Sequence, residues 1–118
     1  MSENSHQLAH EIRQVLAHLI RAALLADEQH AAAERRRALY VHEALRQQAE
    51  PAALAAIRLD GLWTAAVSEA ETPELYREPL QVSTTLPASC PLTLGELVEP
   101  GLKLAELEER IRNAAATG

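Results

Sequence analysis

The sequence predicts an all-α fold: a small helical bundle of three main helices, a proline-rich strap, a short capped helix and a C-terminal helix. Three observations carry this prediction. Alanine and leucine supply 23 and 19 of the 118 residues, and both are strong helix formers. Valine and isoleucine together number nine, with one Trp, two Tyr and no Phe, so strand-favouring residues are scarce. Apolar residues recur at three- and four-residue spacing. A β-sandwich or barrel is excluded, and no Val/Ile-rich run of strand length exists for a parallel α/β sheet. A hydrophobic content of 47% excludes collagen-like and disordered classes.

The first helix is expected over about residues 8–26. Leu8, Ile12, Val15, Leu16, Leu19 and Ala23 share one face, and Glu11, Arg13, Gln14, His18 and Arg21 occupy the rest. Ser5 is the expected N-cap, because its hydroxyl can accept from an orphan N–H of the first turn. Residues 27–30 read as a short turn or an exposed continuation. The second helix covers about residues 31–48, with Ala38, Val41, Leu45 and Ala49 on its apolar face. Glu50-Pro51 ends it, since a residue before proline avoids the helical region. Pro51 then opens a third helix, where its missing N–H has no cost. Leu54, Ile57, Leu59, Leu62, Trp63, Ala66 and Val67 spread over more than half of its circumference, which predicts the central helix. Asp60-Gly61 is a possible break. Leu16, Leu19, Ile57, Leu62 and Trp63 are the expected core.

Residues 72–92 hold Pro73, Pro79, Pro87 and Pro91, so this strap should be extended apart from one helical turn at Thr72-Pro73-Glu74. Leu80, Val82 and Leu86 would pack it onto the bundle, with Cys90 buried. Thr93-Leu94-Gly95-Glu96 fits a capping box opening a short helix to about Val98. Pro100-Gly101 breaks it. Leu104, Leu107 and Ile111, with Leu102 leading in, mark the last helix, and Glu106, Glu108, Glu109, Arg110 and Arg112 are expected to face solvent. The chain thus divides into a helical bundle domain over 1–99, with the strap at 72–92, and a C-terminal helical extension over 100–118.

The net charge is −6. Residues 1–50 carry seven acids and six bases, a net of −1; residues 51–118 carry ten and five, a net of −5. An acidic balance disfavours nonspecific binding to nucleic acid or anionic membranes, which recruits basic patches. The N-terminal MSENSHQ has neither a basic region nor an apolar run, no stretch approaches a bilayer span, and the single Cys90 has no disulfide partner. These features predict a cytoplasmic protein.

The segment LPASCPLTLGELV over 86–98 places a Pro, a Cys-Pro pair and a Thr-Leu that opens a short helix. It resembles bacterial proteins of the domain-of-unknown-function family 29. Residues 8–21 (LAHEIRQVLAHLIR) resemble that family's HLLK-type helix, with His18-Leu19-Ile20-Arg21 at the matching place. The resemblance spans about residues 6–99. It implies an all-helical fold with no established activity, and it carries no catalytic residues to this chain. The helix after Pro100 lies outside it.

One enzymatic constellation stands out. In RRRALYVH over 35–42, Arg37 and His42 have R-x4-H spacing and Arg35 and His42 have R-x6-H spacing. Both are similar to the ribonuclease motif of small helical nucleotide-binding domains of the HEPN type, where a His serves as acid/base and an Arg stabilises a pentavalent phosphate. Arg35 and His42 share a helix face, while Arg37 and His42 lie about 140° apart. The acidic total favours a solvated arginine cluster instead. His10 and His18 stand about 12 Å apart on a helix and cannot share an ion, and no paired carboxylate–histidine motif of a di-iron bundle is present. No metal and no cofactor are expected. Cys90 lies in a neutral-to-acidic stretch unsuited to a reactive thiolate.

The sequence therefore favours a non-enzymatic cytoplasmic module for protein–protein interaction, a small regulatory or accessory subunit. The alternatives are a ribonuclease or toxin-like domain using Arg35, Arg37 and His42, and a phage- or plasmid-borne inhibitor that engages a basic partner through the acidic half. The last helix carries a narrow apolar stripe suited to one groove. Leu102, Leu104, Leu107 and Ile111 are accordingly the expected partner-binding residues, facing a protein partner or a second copy of the chain.

Overall fold

The computed structural model describes residues 3–71 and 86–117. These form α1 (Glu3–Leu24), α2 (Glu28–Gln48), α3 (Pro51–Ala55), α4 (Leu59–Ala70), α5 (Leu94–Val98) and α6 (Leu104–Thr117). No strand occurs among the described residues, so the fold is all-α.

α1 is the central helix and packs against α2, α3, α4 and α6. Its apolar stripe is buried as its spacing predicts, from Leu8 through Leu19. Ala17, Ile20 and Ala22, off that stripe, are buried too. The wide apolar arc after Pro51 predicts the central place for that helix instead, and the structure corrects this. Alanines around α1 let neighbours approach from several sides, whereas Leu54, Ile57, Leu59 and Leu62 reach only partial burial. Leu16, Leu19 and Trp63 are fully buried as expected; Ile57 and Leu62 are not. Ser5 is no N-cap. α1 already begins at Glu3, and Ser5 is buried within its first turns.

Three residues, Leu25 to Asp27, join α1 to α2, a connection that makes the two helices antiparallel neighbours. Asp27 caps α2: its Oδ1 accepts from the backbone N–H of Gln29 at 2.8 Å and of His30 at 3.1 Å. That cap starts the helix three residues before the expected Ala31. The region after Pro51 divides into α3 and α4 at Arg58, which is extended (φ −109°, ψ 93°). The break precedes Asp60-Gly61, and no helix-breaking residue marks it. It lets α3 bury Ala53 while α4 buries Trp63, Ala66, Val67 and Ala70. The Arg21 guanidinium donates to the Glu69 carbonyl at 2.6 Å and the Ala70 carbonyl at 3.3 Å, which satisfies the last turn of α4.

The expected turn at 72–74, and Leu80 and Val82 of the strap, lie outside the described residues. From Leu86 to Leu92 the chain is irregular and buries both of those leucines. Two hydrogen bonds tie this stretch to α4: Trp63 Nε1 donates to the Pro87 carbonyl at 2.8 Å, and the Cys90 N–H donates to Asp60 Oδ1 at 3.0 Å. Cys90 is half-buried, and burial pushes its thiol up to about 11.

The capping box at Thr93 is formed. The Glu96 N–H donates to Thr93 Oγ1 at 3.2 Å, and the Thr93 N–H donates to Glu96 Oε1 at 3.0 Å. Arg110 of α6 pairs with the same carboxylate, and together with Thr93 it holds Glu96 at about 2. Thr93→Ala should lower stability by about 1 kcal/mol in urea titrations. A loss under about 0.2 kcal/mol would show that α5 needs no cap.

α6 folds back onto α1. Leu107 and Ile111 are 1% and 0% exposed, and Leu102 and Leu104 are half-buried against the same core. One expectation is corrected by this packing: Leu107 and Ile111 are covered by their own bundle rather than presented to a partner, and Leu102 and Leu104 are partly covered by it. A marginal helix of this length is stabilised by such packing. Glu108, expected in solvent, is 2% exposed. It accepts from Arg35 in a two-pronged contact, with Nε and Nη2 both within 3.2 Å, and Arg112 lies 3.7 Å away.

Candidate functional site

α2 sorts its arginines and histidine by helical angle. Arg35 and His42, seven residues apart, do share a face, and that face points into the protein. Arg35 is held between Glu108 of α6 and Glu28 at 2.7 Å. His42 is 3% exposed, and α2 packs α5 over it. Burial pushes the His42 imidazole below its ordinary value, against the backbone of Glu99 and Leu97, so the ring is neutral at pH 7. Its Nε2 is buried without a hydrogen-bond partner. Arg37 lies on another face and contacts Glu34 Oε1 at 3.4 Å. The structure does not bring Arg35, Arg37 and His42 around one open space. The charges that made the RRRALYVH motif conspicuous are largely structural.

What α2 and α1 do assemble is a cleft of about 310 Å³ lined by His18, Ala33, Arg36, Arg37, Tyr40 and Val41. The α2 members follow i, i+3, i+4, i+7 and i+8 spacing, one stripe along the helix. Behind the cleft lies Glu34, fully buried between α1 and α2. Its Oε2 receives His18 Nδ1 at 2.7 Å, and its Oε1 has Arg37 at 3.4 Å and Arg21 at 3.8 Å. Burial pushes the Glu34 carboxyl up. The His18 hydrogen bond and the charges of His18, Arg21 and Arg37 outweigh it, and the net value falls below the ordinary one.

Next to the cleft the outer face of α2 carries Leu39 at 45% exposure and Tyr40 at 82%. Among the described residues these are the exposed large hydrophobics. Arg36, also exposed, lines the cleft together with Tyr40. A second space, of about 450 Å³, lies between α4 and residues 86–88, and Glu71 is its one titratable lining residue among those described. No group of three or more His, Cys, Asp or Glu among the described residues is placed to hold a metal ion. No described helix is long and apolar enough to cross a membrane.

Sequence spacing alone passed over His18, Glu34, Arg36 and Tyr40. The spacing places His18 off the apolar face of the first helix. One signal was legible: Glu34 falls four residues before Ala38, on the stripe Ala31, Glu34, Ala38 and Leu45 that the core claims. A carboxylate in such a stripe needs cations facing it. Compared with protein-family models, curated proteins and solved structures, the chain matches none, so the character of this site rests on its own geometry.

Proposed function

We propose that the chain is a non-enzymatic cytoplasmic helical interaction module, a small regulatory or accessory subunit, and that it engages an acidic protein partner through the outer face of α2. The carrying observation is the exposure of Leu39 and Tyr40 beside Arg36 and Arg37. Tyrosine and arginine are the residue types that dominate binding energy at interfaces. An exposed tyrosine loses little conformational entropy on binding because it has two side-chain torsions. The basic character of this face is local in a chain of net charge −6, so it selects a partner segment of opposite sign. A second copy of the chain fits less well. Two-fold pairing through this face would bring two basic patches together.

The acidic half is a weaker interface, because Glu96 and Glu108 are already paired with Arg110 and Arg35. The test is an affinity pull-down from the native host with mass spectrometry, comparing the natural chain with Tyr40→Glu, Leu39→Glu and Ala105→Glu. Ala105 is exposed on α6. The first two changes should release the specific partner and the third should retain it. Retention by both α2 variants would reject the assignment.

A further inference from the structure

The cleft beside this face has a chemistry that apolar docking does not require. Glu34 is an acceptor only, so the 2.7 Å contact to His18 Nδ1 places the proton on that nitrogen. The other ring nitrogen, Nε2, is left for the cleft that the ring lines. Arg36 and Arg37 line the same space. No carboxylate lines it, because Glu34 sits behind the wall with its oxygens directed at His18, Arg21 and Arg37. Two guanidinium groups and one imidazole therefore converge on a small volume whose remaining walls are Ala33, Val41 and the Tyr40 ring.

We infer that this cleft between α1 and α2 is a binding site for a phosphate monoester. Guanidinium groups match phosphate oxygens in geometry and stay charged at every physiological pH. The two guanidinium groups donate to the terminal oxygens, and the unprotonated Nε2 of His18 accepts from the P–OH of a singly ionised monoester, a donor that an ionised carboxylate lacks. The apolar walls and the exposed Tyr40 ring accommodate the organic part of the ester. A volume of about 310 Å³ is at the lower end of small-ligand sites, so the ligand is a single small ester and not a dinucleotide. The buried Glu34 is a positioning residue: it fixes the tautomer and orientation of His18, as a carboxylate behind a ligating histidine does.

The inference stands on the cleft alone and does not require a protein partner. Phenyl phosphate is titrated into the full chain at fixed ionic strength, with benzoate and chloride as controls. Binding is read from the His18 ring and Arg36 side-chain resonances. A saturable shift with phenyl phosphate, at least tenfold tighter than with benzoate, is expected. Arg36→Ala, at an exposed position, should weaken it at least tenfold with unchanged circular dichroism, and Arg36→Lys should restore only part. Shifts that chloride reproduces, or binding that Arg36→Ala leaves intact, would overturn the site. Phosphatase treatment of the host lysate before the pull-down separates two sources. Lost partner retention places the ester on the partner, and unchanged retention with intact phenyl phosphate binding makes it a free small molecule. Leu39→Glu distinguishes the two claims, since it should release the partner while leaving phenyl phosphate bound.

Discussion

Truncation of Trp63 to alanine is expected to lower stability by about 3–5 kcal/mol, the usual range for removing a buried aromatic ring. Trp63 is the largest fully buried side chain, and it does two jobs. Its ring joins α4 to the core around α1, and its Nε1–H holds the Pro87 carbonyl at 2.8 Å. The loss is a large share of the 5–15 kcal/mol that a domain of this kind possesses, and it should lower the thermal midpoint by roughly 10–20 °C. Trp63→Phe separates the two jobs. It keeps an aromatic ring and removes the donor, so it should cost about 1–3 kcal/mol. Urea unfolding followed by circular dichroism measures both. If Trp63→Ala costs less than about 1 kcal/mol, α4 is peripheral and residues 86–92 are not anchored through it.

The second large effect is at Glu34. Glu34→Ala should cost about 3 kcal/mol at pH 7, because it leaves three cationic or hydrogen-bonding partners facing a space without their acceptor. Arg37 is partly exposed and recovers some solvation, so the low end of the range for buried pairs applies. The pH dependence has a definite sign. The folded-state carboxyl lies below its ordinary value of 4.5. Its contribution is therefore fully present above that value and disappears as pH falls through the folded one. The stability gap between the natural chain and Glu34→Ala should be constant from pH 6 to 8 and shrink below about 4.5. A gap that grows on acidification would mean that Glu34 is protonated and neutral in the fold. Glu96, held at about 2 by Arg110, works in the same direction at the α5–α6 contact.

How much was legible in the sequence follows from what each residue's neighbours are. The stripe from Leu8 to Leu19 is local periodicity, and it predicted the buried face of α1 correctly. Thr93 and Glu96 meet within one turn, so spacing alone gave the capping box. Pro51 and Pro100-Gly101 act on their own backbone, and the boundaries there agree. The misjudged elements depend on contacts distant in the chain. Glu108 is buried because Arg35, 73 positions away, meets it. Leu107 and Ile111 looked available because nothing local says that α6 folds back onto α1. Arg58 breaks the helix after Pro51 with no breaker, since separate docking of α3 and α4 decides it. The site shows the same division: the RRRALYVH spacing was visible, but which of its charges face inward depended on α5 and α6. The cleft required His18 and Glu34, sixteen residues apart, to meet across the α1–α2 hairpin.

The central functional claim is that the partner meets the outer face of α2 and not α6. A photo-crosslinking residue placed in the native host at position 40, and separately at position 105, tests it directly. Both positions are exposed, on α2 and α6 respectively. A discrete covalent adduct is expected from position 40 and none from position 105. An adduct from 105, or the absence of one from 40, would contradict it.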